Sequence, residues 1–288
     1  MTDPFTANEQ SKTWGIGGDL PVNRLGFGAM RITGPGIWGE PPDHDEAIRV
    51  LRRAVELGVN FIDTADSYGP FVSERLIAEA LHPYPEDLVI ATKGGLLRDG
   101  PDQWRPDGRP QRIRAACEES LERLKLQQIP LYQFHRPDPE VPFEDSMAAF
   151  IELKDEGKIR HIGVSNVTDA QISLALSLTP IVSVQNRYNP TDRSSNDVLD
   201  RCEIEEIAFL PWAPIGGTGG VNDATLNDIA DAHGVSPRVV ILAWMLAFSP
   251  CIVPIPGTGS VAHLEENLKA NDLELSPAEV SALAGLGR

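Results

Sequence analysis

Positive charge is scarce in this chain of 288 residues, which has 25 lysine and arginine residues against 42 aspartate and glutamate residues. The formal net charge at pH 7 is −17. Nucleic acids and anionic membrane surfaces bind basic faces of proteins, so this balance argues against both as partners. We interpret the excess of carboxylates as a well-solvated surface.

Cysteines and long apolar runs are also rare. The three cysteines are Cys117, Cys202 and Cys251, and no two of them form a C-x-x-C pair. This usage argues against a disulfide framework or a structural zinc site, and it predicts a protein of the reducing cytoplasm. Residues 1–13 lack the pattern of a signal peptide. The longest apolar run, residues 239–248, is too short to span a bilayer and predicts a core helix.

Strand-like and helix-like segments alternate along most of the chain. Residues 13–22 predict a β-hairpin, because apolar residues flank Gly17-Gly18-Asp19. Eight strand-like segments follow, at residues 25–30, 59–65, 88–92, 131–135, 161–164, 181–185, 208–212 and 251–256. Helical periodicity covers residues 46–57, 73–81, 111–126, 143–157, 169–178, 195–207, 225–233, 237–248, 261–270 and 277–286.

Eight strand-then-helix steps without a Pro/Ser/Gly linker predict a single closed α/β barrel. We therefore expect one (β/α)8 TIM-barrel domain over residues 1–288, with an N-terminal β-hairpin, extra C-terminal helices and a flexible tail at residues 1–12. An open doubly wound sheet is the alternative.

Residues 34–39, Gly-Pro-Gly-Ile-Trp-Gly, match the G-x-G-x-x-G pattern of dinucleotide-binding folds. That pattern requires a helix to begin at the motif, so that its N-terminus can meet the pyrophosphate. Here Pro35 lies inside the motif, and Pro41 and Pro42 follow it. We interpret the match as chance and predict a loop over the first strand.

Four polar side chains lie at or just after the carboxyl ends of predicted strands, where barrels place their chemistry. Asp63 is near the end of the second strand and Tyr68 follows it, Lys93 follows the third strand, and His135 ends the fourth. An ammonium beside a phenol stabilises the phenolate, which lowers the pKa of the tyrosine and eases proton donation. Asp63 would pair with a buried Lys93, and a neutral His135 would orient a substrate oxygen. The set fits protonation of an oxygen that becomes negative as a hydride reaches its carbon.

Several segments resemble those of the aldo-keto reductase family. Residues 58–69, Gly-Val-Asn-Phe-Ile-Asp-Thr-Ala-Asp-Ser-Tyr-Gly, are similar to its first signature, and residues 255–267, Ile-Pro-Gly-Thr-Gly-Ser-Val-Ala-His-Leu-Glu-Glu-Asn, to its C-terminal nucleotide signature. Between these two signatures, Lys93, His135 and the segments 163–166 and 185–186 occur in the same order as their counterparts in the family. Within the family, the segments most similar to those of bacterial pyridoxal reductases are 23–30, 34–36 and 260–264.

This resemblance implies a (β/α)8 barrel that reduces an aldehyde or ketone with a nicotinamide cofactor. It implies Tyr68 as proton donor, Asp63 and Lys93 as the pair that tunes it, and His135 as the orienting residue. The implied cofactor-binding residues are Met30, Arg31, Ser165, Asn166, Gln185, Trp212, Ala213, Ile215, Gly217, Thr258, Ser260, His263, Glu266 and Asn267. We expect the substrate pocket to be lined by Trp38, Trp104 and Arg136, a mixture that suits a polar aromatic carbonyl.

The end of the site that would hold the cofactor's ribose phosphate departs from the family pattern. Many members have a lysine after Ile-Pro and an arginine six residues later, where this chain has Gly257 and His263. Fixed positive charge at the 2′-phosphate distinguishes NADP from NAD. Thr258, Ser260 and the amides of a helix N-terminus can still bind an anion. We therefore expect NADP(H), with NAD(H) left open.

Two other functions remain open on the sequence. A lyase or aldolase barrel would use Lys93 as a Schiff-base nucleophile. A regulatory subunit of the same fold would keep the nucleotide site but turn over slowly.

Overall fold

The computed structural model describes residues 12–216 and 220–286, and residues 1–11 of the predicted tail lie outside them. The strands of the described residues are β1 (Thr13–Ile16), β2 (Leu20–Asn23), β3 (Phe27–Gly28), β4 (Phe61–Asp63), β5 (Val89–Gly94), β6 (Leu96–Gly100), β7 (Gln103–Pro106), β8 (Ile129–Phe134), β9 (Ile159–Ser165), β10 (Ser183–Gln185) and β11 (Ala208–Phe209). The helices are α1 (His44–Glu56), α2 (Val72–Leu81), α3 (Pro110–Leu124), α4 (Phe143–Asp155), α5 (Asp169–Leu178), α6 (Asn196–Ile204), α7 (Ala224–His233), α8 (Pro237–Phe248), α9 (Val261–Leu268) and α10 (Pro277–Ala284).

The main sheet of the described residues has seven parallel strands in the order β11-β10-β9-β8-β5-β4-β3. The predicted eighth strand, residues 251–256, forms only an isolated bridge to β11. Its backbone nevertheless joins both edges of the sheet: Val253 N donates to Phe209 O at 2.9 Å, and Gly26 N donates to Pro254 O at 2.9 Å. Prolines 254 and 256 lack an N–H, so this segment cannot form a regular ladder. The predicted barrel is confirmed, with a last strand that is less regular than expected.

The predicted N-terminal hairpin is formed by β1 and β2, which pair in antiparallel register. Its buried residues Ile16 and Val22 pack with Phe61, Val89 and Leu131 inside the barrel. Phe61 and Val89 are the first residues of their strands, so the hairpin closes the amino-terminal end of the barrel. The carboxyl end stays available for the functional groups.

The first helix begins and ends where its residue types predict. The Asp43 side chain caps α1 by accepting a hydrogen bond from Glu46 N at 2.8 Å. Gly58, at φ 87°, follows the helix end in a backbone conformation that favours glycine. Four predicted strands, β3, β4, β10 and β11, are shorter than expected: residues 29–32, for example, form a 3₁₀ turn instead of extending β3, and β11 ends at Phe209.

The antiparallel hairpin of β6 and β7 was not predicted from the sequence. It follows β5 directly and lies at the carboxyl end of the barrel, so it contributes to the wall of the candidate site. The loop at residues 34–39 agrees with the prediction, because it contains only a short 3₁₀ turn, Pro35–Ile37, and does not begin a helix at the motif.

No single helix in the described ranges is long and apolar enough to cross a membrane. The pair α7 and α8 meets the length and composition criteria only when taken together, and the two helices meet at 95°.

Candidate active site

Three of the four predicted catalytic side chains meet around the Lys93 ammonium. Lys93 lies on β5 and Asp63 ends the neighbouring strand β4. Lys93 Nζ donates to Asp63 Oδ2 at 2.6 Å, to the Thr64 backbone oxygen at 2.8 Å and to the Tyr68 hydroxyl at 3.2 Å. An ammonium has three N–H donors, so all of them are used. The ammonium is thereby held by a carboxylate and directed at the phenol.

The Asp63 carboxylate is fixed from the opposite side by two amides. Its Oδ1 accepts hydrogen bonds from Gln133 Nε2 at 3.0 Å and from Gln185 Nε2 at 2.8 Å. Gln133 was not predicted from the sequence. The signal for it was present, because alternate residues of a strand share one face and Gln133 is two residues before His135.

Burial and neighbouring charges shift the pKa values of Tyr68 and Lys93 in opposite directions. Burial raises the pKa of Tyr68, the Lys93 ammonium lowers it by less, and the net pKa lies above its ordinary value. Burial lowers the pKa of Lys93, but Asp63 and Tyr68 together raise it above its ordinary value. Lys93 therefore acts on the Tyr68 pKa in the predicted direction, and the burial of the phenol, which the sequence does not reveal, outweighs it. At neutral pH the phenol carries its proton and the ammonium its charge.

His135 follows β8 and lies beside the phenol. The two rings are 5.9 Å apart between centroids and meet edge to face. His135 Nδ1 is 3.3 Å from Ser67 Oγ. Burial, the Lys93 ammonium and Arg136 lower the pKa of His135 well below its ordinary value. The imidazole is therefore neutral at physiological pH, as predicted.

The three residues predicted for the substrate pocket have different positions. The Trp104 ring lies 6.5 Å from the Tyr68 ring and 6.4 Å from the His135 ring, so it belongs to the site. Trp38 is 37% exposed, shares the neighbour Arg98 with Trp104, and forms a backbone bridge with Gly69, the residue after Tyr68. Arg136 is exposed, and its charge helps to lower the pKa of His135.

The residues predicted to hold a nicotinamide lie together beyond His135. Asn166 Nδ2 donates to the His135 carbonyl and to Ser165 Oγ, both at 3.0 Å. Trp212 Nε1 donates to Asn166 Oδ1 at 3.1 Å. Ser165 Oγ donates to the Gln185 carbonyl at 2.7 Å. One connected network therefore joins four of the predicted residues to the catalytic group.

The loop after β11 contains three further predicted cofactor residues. Ala213 has a positive φ of 51°, an unusual conformation for a residue with a side chain. Ile215 packs against the hydrophobic core. Gly217 lies outside the described residues.

The predicted phosphate and adenine end of the site is the segment from Gly257 to Asn267. Thr258 Oγ1 accepts from Ser260 N at 3.1 Å, directly before α9. His263 is exposed on the first turn of that helix. Asn267 is buried, and its Oδ1 has no hydrogen-bond partner within the described residues.

Glu46 and Arg31 bring charges of opposite sign to this segment, and the two remaining predicted residues, Met30 and Glu266, have other neighbours. Glu46, from α1, accepts a hydrogen bond from the N-terminal amide of α9 at 3.0 Å, a contact that was not predicted. Arg31 is exposed and lies beside Gly257, since a Cβ added there would be 3.5 Å from Arg31 Cγ. Met30, its neighbour, packs with Tyr68. Glu266, predicted to face the adenine, lies 3.7 Å from Arg238.

A phenol, an ammonium and a neutral imidazole lie together at the mouth of this (β/α)8 barrel. This arrangement is that of a barrel enzyme that reduces carbonyl groups. The chain belongs to the aldo/keto reductase family, whose family model matches residues 24–288. It is an oxidoreductase of that family.

Three similar proteins illustrate the range of the family. An uncharacterized oxidoreductase of Schizosaccharomyces pombe is 49% identical over 90% of this chain and 85% of its own length. Pyridoxine 4-dehydrogenase of Escherichia coli is 42% identical over 94% of this chain and 97% of its own length. The structure of an aldo-keto reductase from Klebsiella pneumoniae in complex with NADPH has a TM-score of 0.79, with 25% identity over 96% of this chain and 94% of that one.

Proposed function

We propose that the protein reduces an aromatic aldehyde of the pyridoxal type to its alcohol, with NADPH as hydride donor and Tyr68 as proton donor. The observation that carries the proposal is the 3.2 Å hydrogen bond from the buried Lys93 ammonium to the Tyr68 hydroxyl, beside a neutral His135. The similarity to pyridoxine 4-dehydrogenase supports the substrate class, since pyridoxal is the aldehyde counterpart of pyridoxine. The NADPH complex of the Klebsiella protein supports the cofactor.

The roles of the catalytic residues follow from their contacts. Tyr68 gives its hydroxyl proton to the carbonyl oxygen, and the Lys93 ammonium stabilises the phenolate that remains. Asp63 keeps the ammonium charged and in place. The proposal assigns the imidazole proton of His135 to Nε2, which donates to the same carbonyl oxygen while Ser67 Oγ donates to Nδ1. The bound nicotinamide supplies the hydride.

The donor set of the proposed cofactor site fits a nicotinamide dinucleotide. Ser165, Asn166 and Gln185 carry both donors and acceptors, which a carboxamide requires, and the Ser165 hydroxyl and the Asn166 amide would exchange present partners for it. The unpartnered Asn267 Oδ1 fits the amino group of an adenine, because a buried acceptor without a donor is costly. The other proposed cofactor contacts are Met30, Arg31, Trp212, Ala213, Ile215, Gly217, Thr258, Ser260, His263 and Glu266.

The 2′-phosphate would lie near Arg31 and the start of α9. Neither Gly257 nor the exposed His263 supplies a fixed positive charge, so we assign that role to Arg31, whose side chain lies beside Gly257. Glu46 opposes an anion at the same helix N-terminus. Preference for NADPH over NADH is therefore modest in this proposal.

The Schiff-base alternative is less well supported. A nucleophilic lysine must lose its proton, whereas Asp63 and Tyr68 raise the pKa of Lys93 above its ordinary value. All three of its N–H groups are also engaged. Borohydride trapping of a carbonyl substrate on Lys93 would favour this alternative.

The test is oxidation of NADPH and NADH, followed by absorbance, across pyridoxal, benzaldehyde and propanal. We expect turnover of the aromatic aldehydes, with NADPH the better donor. Tight NADPH binding without reduction of any carbonyl would instead favour a regulatory subunit. A matched pair of variants, Tyr68→Phe and the remote Tyr84→Phe, separates loss of the phenol at the site from loss of a tyrosine elsewhere.

A further inference from the structure

Arg98 occupies an unusual place in the hairpin of β6 and β7, above the catalytic group. It is 9% exposed, although it is an arginine at the mouth of a barrel. Its five N–H groups all donate to backbone oxygens, at distances of 2.6 to 3.3 Å, and those oxygens belong to Gly36, Ile37, Ser67, Gly100 and Gln103. A guanidinium has five N–H donors, so none remains for a substrate.

The accepting carbonyls belong to three separate segments of the chain. Gly36 and Ile37 are in the loop of residues 34–39, and Ser67 directly precedes the proposed proton donor. The remaining two carbonyls are in the hairpin itself. One side chain therefore joins the loop, the tyrosine segment and the hairpin around the pocket.

The guanidinium also lies over an aromatic ring. Arg98 Cζ is 3.8 Å from the centre of the Trp104 ring and 5.7 Å from that of Trp38. Arg98 and Trp104 are also directly paired across the hairpin. A planar guanidinium can stack on a ring and donate in its own plane at the same time, which an ammonium cannot do.

We propose that Arg98 is a positioning residue that gives the pocket its selectivity for aromatic carbonyls, by holding Trp104 as a fixed wall beside Tyr68 and His135. This inference rests on the proposed reductase function. The Trp104 ring meets the Tyr68 ring edge to face, at 88° and with 6.5 Å between centroids, so the two rings form a corner of the pocket. A flat substrate placed against that corner is restrained in its orientation. A small aliphatic aldehyde has no ring to place against the wall.

The test compares an aromatic with a small aliphatic substrate in the same variants. Arg98→Met fills a similar volume but removes the five donors and the charge, and Arg98→Lys restores the charge alone. The control is Arg105→Met on the neighbouring strand, whose guanidinium is exposed and pairs with Asp99. For Arg98→Met we expect kcat/KM for pyridoxal to fall about tenfold, equivalent to about 1.4 kcal/mol, through KM rather than kcat. The value for propanal should stay within about twofold of the wild type, and Arg98→Lys should recover little of the loss.

A double-mutant cycle tests whether Arg98 acts through the tryptophan. In a Trp104→Leu background, Arg98→Met should have no further effect on the ratio of kcat/KM for pyridoxal to that for propanal. Equal losses for both substrates in Arg98→Met, or an additive effect in the Trp104→Leu background, would overturn the proposal. A general loss of folding is excluded by the thermal midpoint and the NADPH affinity of each variant. If Arg98→Met does not fold, Arg98→Lys enters the cycle in its place.

Binding of pyridoxine to the protein with NADPH, measured by calorimetry, tests the wall without turnover, because an alcohol and a reduced nicotinamide cannot exchange a hydride. Weaker binding in Arg98→Met and Trp104→Leu, with Arg105→Met unchanged, supports the positioning role even if the wild type reduces no carbonyl. Unchanged pyridoxine binding in both variants contradicts the role. A wild type that reduces both aldehydes alongside variants with unaltered selectivity would leave the reductase function intact and reject the Arg98 inference.

Discussion

Removing the ammonium of Lys93 should destabilise the protein much more than removing both charges of its ion pair. The Lys93 side chain is 0% exposed and that of Asp63 is 3% exposed, so Lys93→Met leaves a buried carboxylate without its cation. Breaking a buried pair in this way costs about 3–5 kcal/mol. At about 2–4 °C per kcal/mol, the thermal midpoint should fall by roughly 6–20 °C.

The double variant Asp63→Asn/Lys93→Met separates stability from catalysis. The amide oxygen introduced by Asp63→Asn can still accept hydrogen bonds from Gln133 and Gln185, and no uncompensated charge remains. We expect the double variant to regain about half of the lost stability, because the desolvation cost of the charges disappears with them. Reductase activity should stay lower by about 100-fold or more in both variants, because neither has an ammonium beside Tyr68.

Thermal unfolding followed by circular dichroism measures the stabilities, with the exposed pair of Asp99 and Arg105 as the control. Asp99→Asn should change the free energy of unfolding by at most about 1 kcal/mol. The single variant Asp63→Asn completes the comparison. If the loss of stability in the double variant equalled the sum of the losses in Lys93→Met and Asp63→Asn, the two charges would not depend on each other and the argument would be refuted.

Two further predictions concern charges next to the site. Glu46→Gln keeps an acceptor for the first amide of α9 but removes a negative charge, so NADPH affinity should rise about threefold in a fluorescence titration while NADH affinity is unchanged; an equal change for both cofactors would contradict the proposed phosphate position. Burial and Glu74 raise the pKa of Asp66 to about 8, from an ordinary value of 3.8, with Arg112 opposing the shift. The folded protein therefore binds more protons than the unfolded chain between these values, and the Asp66 contribution to stability is lost as pH rises towards 8. The thermal midpoint of Asp66→Asn relative to the wild type should therefore rise between about pH 5 and pH 9, and a constant difference would be evidence against it.

The barrel could be predicted because its signal is local and repeated. Each strand-like segment is apolar and followed by a helical period, so errors at single boundaries do not change the topology. The grouping of the polar residues at strand ends could also be predicted, because parallel strands all end at one face of the barrel. Asp63, Lys93 and His135 lie at that face, as this reasoning predicts.

The hairpin of β6 and β7 was missed for a physical reason. Its sequence is mostly polar and contains Pro101 in the turn and Pro106 at the end. Its Arg98 side chain binds carbonyls of residues 36, 37 and 67, which are far away in the chain. No local pattern encodes such contacts. The net upward shift in the pKa of Tyr68 was also out of reach, because it depends on how completely the folded site excludes water.

For the irregular last strand, the apolar pattern predicted the position of the segment but not its hydrogen bonds. Residues 251–256 are apolar enough to predict a strand, and they do occupy its place between β11 and β3. Two prolines remove the amide donors that a regular ladder requires. The topology was therefore predictable where the hydrogen-bond pattern was not.

Hydride transfer in Tyr68→Phe, measured in a single turnover with NADPH and pyridoxal, tests the proposed proton donor most directly. The phenylalanine keeps the ring against Trp104 and removes only the hydroxyl that Lys93 contacts. We predict a rate lower by about 100-fold or more, with the NADPH dissociation constant unchanged within about twofold. A variant that transfers hydride at the wild-type rate would show that the proton comes from elsewhere.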